Sequence, residues 1–195
     1  MGILTEDMKR VVNEQRLGFV ATVCPDGTPN LSPKGTTAVW DDDHIVFADI
    51  RSPATVANLR RNPSTEINVV DPIVRKGYRF KGVASVFTEG ALFERILDFY
   101  RAERNLDESR IRIRSVVLVK IEEALPVVSP AYDLGLSEEQ VREKMQRYFD
   151  SLQRKAPGTR REETWSASTR NPAGAENGPS VRLALDRLGA LSCTA

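Results

Sequence analysis

A single histidine, two cysteines and 7% aromatic residues among 195 leave little material for several kinds of chemistry. With only His44, a histidine-based metal site and a Ser-His-Asp triad have little support, and its place in an acidic stretch marks it as a surface turn residue. Cys24 and Cys193 have neither the number nor the spacing of a disulfide framework or a zinc site. Cys24 closes an apolar run, so burial as a small hydrophobe is expected of it. An excess of one charge is also missing, since 28 Lys and Arg balance 27 Asp and Glu for a net charge of +1. Without a run of either sign, binding to nucleic acid or to an anionic membrane is disfavoured. No apolar stretch approaches the length of a membrane span. Glu6 and Asp7 stand where a signal peptide would be apolar, and Glu6 stands where a myristoylation motif after Gly2 requires Ser or Thr. A cytoplasmic location is the expectation. Neither GxGxxG nor a phosphate-binding P-loop is present.

What the chain does have is an ordinary globular balance, 41% hydrophobic and 28% charged, and a dense series of strand and turn signals. Thr5 caps a first helix that carries Met8, Val11 and Val12 at helical spacing and ends near Gly18. Phe19 to Cys24 is β-rich, Pro25-Asp26-Gly27 is a turn, and Thr28 to Trp40 reads as the second strand of a hairpin. After the polar turn Asp41 to His44, Ile45 to Ala48 makes a third strand, so a meander is expected. Ser52-Pro53 opens a short helix that stops before Pro63. Glu66 to Val70 and Gly77 to Phe87 are strands, with Gly82 marking a bulge or bend. Ala91 to Arg104 is a helix facing inward through Leu92, Phe93, Ile96, Leu97 and Tyr100. Ser115 to Ile121 is a central strand, and Ser137-Glu-Glu-Gln140 is a capping box for a helix running to about Lys155, striped by Val141, Met145, Tyr148, Phe149 and Leu152.

The pattern predicts a mainly β (α+β) domain over residues 1–155, an antiparallel barrel with flanking helices. Residues 156–195 have the composition of a disordered tail, with one weakly helical stretch at Val181 to Leu191.

Two segments are odder than structure alone demands. In Pro29 to Thr37, a strand candidate carries proline, lysine and glycine, which weaken a β-ladder and let a ligand approach the backbone. In Phe47 to Thr55, a strand runs directly into a capped helix start beside Arg51, with Thr55 in the first turn. Free N–H groups, hydroxyls and a cation suit a phosphate, although a helix that is merely well capped reads the same way. Asp41, Asp42 and Asp43 suit a divalent cation in principle, but without the glycine and distal glutamate of a calcium loop they read as a solvated turn. No metal site is expected.

Together these segments carry a resemblance. Phe19-Val-Ala-Thr-Val, Pro-Asp-Gly-Thr-Pro-Asn-Leu-Ser-Pro-Lys-Gly, Val-Phe-Ala-Asp-Ile-Arg-Ser-Pro, Ala-Asn-Leu-Arg-Arg-Asn-Pro63 and Gly-Tyr-Arg-Phe-Lys-Gly82 follow in an order and spacing that resemble the pyridoxamine phosphate oxidase-like FMN-binding split barrels, from about Leu17 to Val128. The resemblance implies a six-stranded split β-barrel working as a homodimer with FMN at the subunit interface. Ser32, Lys34, Gly35, Thr36 and Thr37 match its flavin-lining strand, with Lys34 as the cation. Asp49 and Ile50 match the end of the next lining strand, Ser52 and Thr55 the phosphate-facing helix start with Arg51 beside them, and Tyr78 and Arg79 the strand approaching from the neighbouring side. True pyridoxamine phosphate oxidases have Ser-Arg-Lys where this chain has Pro53-Ala54-Thr55, so the resemblance does not extend to vitamin B6 oxidation. It implies an FMN-dependent oxidoreductase passing hydride from a reduced nicotinamide or deazaflavin to a small organic acceptor or oxygen. The alternative is a flavin- or heme-binding dimer that stores or senses its ligand without turnover. No catalytic acid or base is identifiable.

Overall fold

The computed structural model describes residues 2–104 and 112–155. Helix α1 (Glu6–Gln15) starts as expected, with the Thr5 hydroxyl accepting from Met8 N and two acidic residues in the first turn. Seven strands follow in one antiparallel sheet: β1 (Gly18–Val23), β2 (Pro29–Lys34), β3 (Ala38–Val39), β4 (His44–Asp49), β5 (Ser64–Asp71), β6 (Lys76–Phe87) and β7 (Ser115–Val128). Helices α2 (Pro53–Arg61) and α3 (Ala91–Arg104) fill the connections, and α4 (Glu138–Lys155) follows the last strand.

The order across the sheet is β2-β1-β5-β6-β7-β4-β3. The two edges, β2 and β3, are consecutive in sequence and joined only by Gly35, Thr36 and Thr37. Three residues cannot cross a flat seven-stranded sheet, so the sheet curls until its edges meet, forming a split barrel. Gly18 on β1 lies at that seam, where a Cβ would stand 2.5 Å from the Thr37 hydroxyl. The expected single strand from Thr28 to Trp40 is therefore two strands at opposite edges, and no meander forms. The corner at Gly35 turns the chain because β2 has used up its partner on β1.

The core inside the curl includes Val12, Val20, Ile45, Phe47, Ile67, Val69, Phe80, Val117 and Val119, joined by Leu4 and Val11. A second cluster packs α3 on β4 and β7 through Ile96, Leu97, Tyr100, Val46 and Val116. Gly82 does sit at an irregularity, since the β6–β7 register slips after Lys81 and the extra residue, Glu122, is on β7. A Cβ on Gly82 would fall 2.0 Å from the Lys120 carbonyl oxygen, so only glycine admits this approach. β7 extends seven residues past the expected Ile121, because β6 supplies partners to Val128. The capping box of α4 forms reciprocally: Ser137 N donates to Gln140 Oε1 at 2.8 Å and Gln140 N to Ser137 Oγ at 3.2 Å. Of the expected stripe on α4, Val141 is buried, whereas Tyr148 and Leu152 are exposed. The expected tail, with its weakly helical Val181 to Leu191 and Cys193, lies outside the described residues.

Candidate functional site

An edge strand tolerates the two prolines of β2, and its alternation sends Asn30, Ser32 and Lys34 to one side and Leu31 and Pro33 to the other. Lys34 is 4% exposed. Its ammonium donates to Ser32 Oγ at 2.5 Å and Ser52 Oγ at 2.6 Å, with Thr55 Oγ1 at 3.4 Å. Three neutral hydroxyls thus take the three donors of a buried cation. Asp49, itself buried, favours the charged form of Lys34 through space, but burial dominates and pushes the lysine down to about 8. One Asp49 oxygen, Oδ1, accepts from Ser52 N at 2.8 Å.

The serine at the start of α2 behaves differently from the expected cap. Ser52 occupies the cap position and Pro53 the first turn, yet its hydroxyl makes no capping bond and turns to Lys34. The first turn of α2 carries no acidic side chain. The positive end of a helix and a buried ammonium therefore converge on the same hydroxyls. Holding a cation on neutral oxygens in a buried place is costly unless an anion completes the set, and serine and threonine hydroxyls, an ammonium and helix N–H groups are the donors that phosphate requires. The residues present fit the phosphate end of a flavin mononucleotide.

Beside Lys34, Gly35 is exposed with open space where a Cβ would stand. Thr36 is pinned to β4, its hydroxyl accepting from Ala48 N at 2.9 Å, and Thr37 Oγ1 donates to Lys34 O at 2.8 Å. The structure thus brings together Ser32, Lys34, Asp49, Ser52 and Thr55 with the Gly35 to Thr37 corner. Ile50 is half-buried and Arg51 exposed in the link between β4 and α2. Tyr78 and Arg79 are engaged elsewhere: Tyr78 Oη donates to Asp7 Oδ2 on α1, while Arg79 pairs with Glu66 at 3.1 Å on the outer face.

Two groups of polar residues here have little signal in sequence. Thr22, inside an apolar run, receives Asn30 Nδ2 at 3.0 Å and Asn58 Nδ2 at 3.1 Å, tying β2 to α2. Tyr100, which reads as core, and Arg104, the last residue of the expected helix, donate to Thr36 O and Thr37 O at 2.9 Å each. The acidic turn is a structural anchor: Asp43 accepts from Ile3 N, Asp42 from Lys9, and Asp41 from Asp43 N, with Asp41 also 2.7 Å from His44 Nδ1. Cys24 is buried next to Asn58. Among the described residues no cluster of His, Cys, Asp and Glu is arranged for a metal ion, and no helix is long and apolar enough to cross a membrane.

A curled antiparallel sheet closed by a three-residue corner, with a buried lysine where that corner meets a helix start, defines the split-barrel class of fold. The model of the pyridoxamine 5′-phosphate oxidase family matches residues 4–127, and the chain belongs to that family. A crystal structure of HupZ from Group A Streptococcus is 31% identical with a TM-score of 0.57, the match covering 65% of this chain and 96% of that one. An FMN-binding protein from Syntrophomonas wolfei shares the fold at 22% identity and a TM-score of 0.55, over 65% of this chain and 87% of that one. So does the conserved hypothetical protein Rv2991 from Mycobacterium tuberculosis, at 24% identity and a TM-score of 0.54, over 69% and 90%. No curated protein matches the sequence.

Proposed function

We propose that the protein is an FMN-dependent oxidoreductase that passes hydride between a reduced nicotinamide or deazaflavin and a small organic acceptor or oxygen. One observation carries the reading: a buried ammonium, Lys34, held by Ser32, Ser52 and Thr55 at a helix start whose own cap has been diverted to it. Lys34 supplies the charge and the three hydroxyls the orientation for the phosphate. Thr55 stands where true pyridoxamine phosphate oxidases have a lysine, and Lys34 reaches the same hydroxyls from the strand. Gly35, with open space above it, lets the flavin ring approach the backbone. When bound, the flavin supplies the redox chemistry; the protein contributes binding and electrostatics.

The proposal includes a homodimer. Phe19 and Leu31 are 43% and 62% exposed on the outer face of β1 and β2, and with Ala21, Glu66 and Asn68 they line a hollow of about 330 Å³. An apolar patch of this kind suits a second copy, which would bring Arg79, beside Glu66 on the same outer face, toward the cofactor of its neighbour. A non-catalytic flavin- or heme-binding dimer is the second reading, favoured by the engagement of the Lys34 ammonium with three hydroxyls, an arrangement that holds charge instead of relaying a proton.

The deciding experiment is the visible spectrum of the protein purified without added cofactor, followed by release of the chromophore and multiple-turnover NAD(P)H oxidation. Flavin bands, FMN on denaturation and sustained turnover are expected. A Soret band, or bound FMN without turnover by any nicotinamide or deazaflavin donor, would transfer the reading to the non-catalytic dimer.

A further inference from the structure

The β2–β3 corner is held from behind by one face of α3. Tyr100 and Arg104 are four residues apart and so share a helix face. Tyr100 Oη donates to Thr36 O at 2.9 Å, and Arg104 Nη2 donates to Thr37 O at 2.9 Å. These carbonyls are consecutive, and Thr36 and Thr37 are both buried. They begin two residues after Lys34, whose own carbonyl is held by Thr37 N and Thr37 Oγ1. Tyr100 is completely buried against Phe99, so its ring has little room to shift. Burial raises the tyrosine well above its ordinary value and keeps its hydroxyl protonated as a donor.

We infer that Tyr100 and Arg104 are positioning residues for the anion cradle: they fix the two carbonyls of the corner and thereby the reach of Lys34 to Ser52 and Thr55. Neither group touches the cradle, so each acts through the backbone. The geometry favours this over simple core filling. A tyrosine needed only for packing has no reason to aim at an edge carbonyl, and an arginine near a helix end usually has solvent or its own helix carbonyls available. Here both reach a three-residue link that no β-ladder holds.

The inference rests on the proposed phosphate-binding role of Lys34. Its test combines FMN titrations with NMR titration of the Lys34 side chain in the full-length apo-protein, for wild type, Tyr100→Phe and Arg104→Met. Loss of either bond is expected to weaken FMN binding about tenfold and to move the Lys34 midpoint upward from about 8 as water enters. In a Lys34→Met background the same substitutions should leave residual FMN affinity unchanged, a coupling that a merely structural role would not produce. Variants that melt earlier yet keep the wild-type Lys34 midpoint and FMN affinity would overturn the inference. If Tyr100→Phe fails to fold, Arg104→Met alone decides. If wild type ignores FMN, the functional reading fails, and the Lys34 midpoint in the apo-protein still tests the positioning.

Discussion

Lys34 holds fewer protons in the folded chain than in the unfolded one over part of the pH range, and that difference has a definite sign. Its folded value is near 8, against about 10.4 for a free lysine. Below pH 8 both states are protonated and the burial penalty is fully present. Between pH 8 and about 10.5 the folded chain has lost the proton while the unfolded chain keeps it, so stability rises with pH. Lys34→Met should raise the stability of the ligand-free protein at pH 7 by roughly 1–3 kcal/mol and abolish that rise, as read from urea melts at pH 7 and pH 10. A variant with the wild-type slope would place the titrating group elsewhere. Ligand binding should respond in the opposite sense. Lys34→Met is expected to cost at least about tenfold in FMN affinity, because a charge-assisted bond to phosphate is lost. In the wild type, affinity should fall on both sides of a maximum between about pH 6, where the phosphate gains its second charge, and pH 8, where Lys34 loses its own. Fluorescence titration of FMN across pH 5 to 10 would show it. The residue types were legible in the sequence as a possible phosphate cradle. That Ser52 serves Lys34 in place of its own helix was not, because capping is a local rule and this bond spans 18 residues.

Elements whose signals are local emerge with the bounds their residues imply. α3 runs from Ala91 to Arg104 as its inward stripe predicts, and the capping box starts α4 where Ser137 stands. Ser137→Ala should destabilise α4 by about 1 kcal/mol, seen as faster amide exchange confined to that helix, since Val141 is the one deeply buried side chain among its described residues. Where a strand depends on its partner, the sequence pattern misleads. Thr28 to Trp40 has continuous extended character, yet Gly35 to Thr37 turns the chain from one sheet edge to the other. Residues 122–128 show no clean alternation and are a strand because β6 pairs with them. Gly82→Val tests that pairing. The new side chain would meet the Lys120 carbonyl, and a loss of more than about 2 kcal/mol is expected in thermal or denaturant melts. A neutral outcome would mean that the β6–β7 bulge relaxes freely.

At the scale of the whole molecule, the outer face of β1 and β2 should decide whether the chain stands alone. Leu31→Glu puts a charge at the most exposed apolar position of that face and should convert the proposed homodimer to monomer in sedimentation or light scattering, leaving the far-UV spectrum unchanged. A wild-type monomer, or a Leu31→Glu dimer, would move the interface off this face. Propensity, capping and turn chemistry act within a few positions, so the class of domain, the helices, the Thr5 and Ser137 caps, most of the strands and the kinds of residue at the cradle are legible from the residues alone. Packing between distant segments sets the rest: β2 and β3 part to opposite edges, Lys34 closes on Ser52 and Thr55, Tyr78 and Arg79 turn to Asp7 and Glu66, and Tyr100 and Arg104 hold the corner from behind. Those contacts join residues 18 to 71 positions apart, save for the Arg79–Glu66 pair across one hairpin, and a curled sheet is what brings them together.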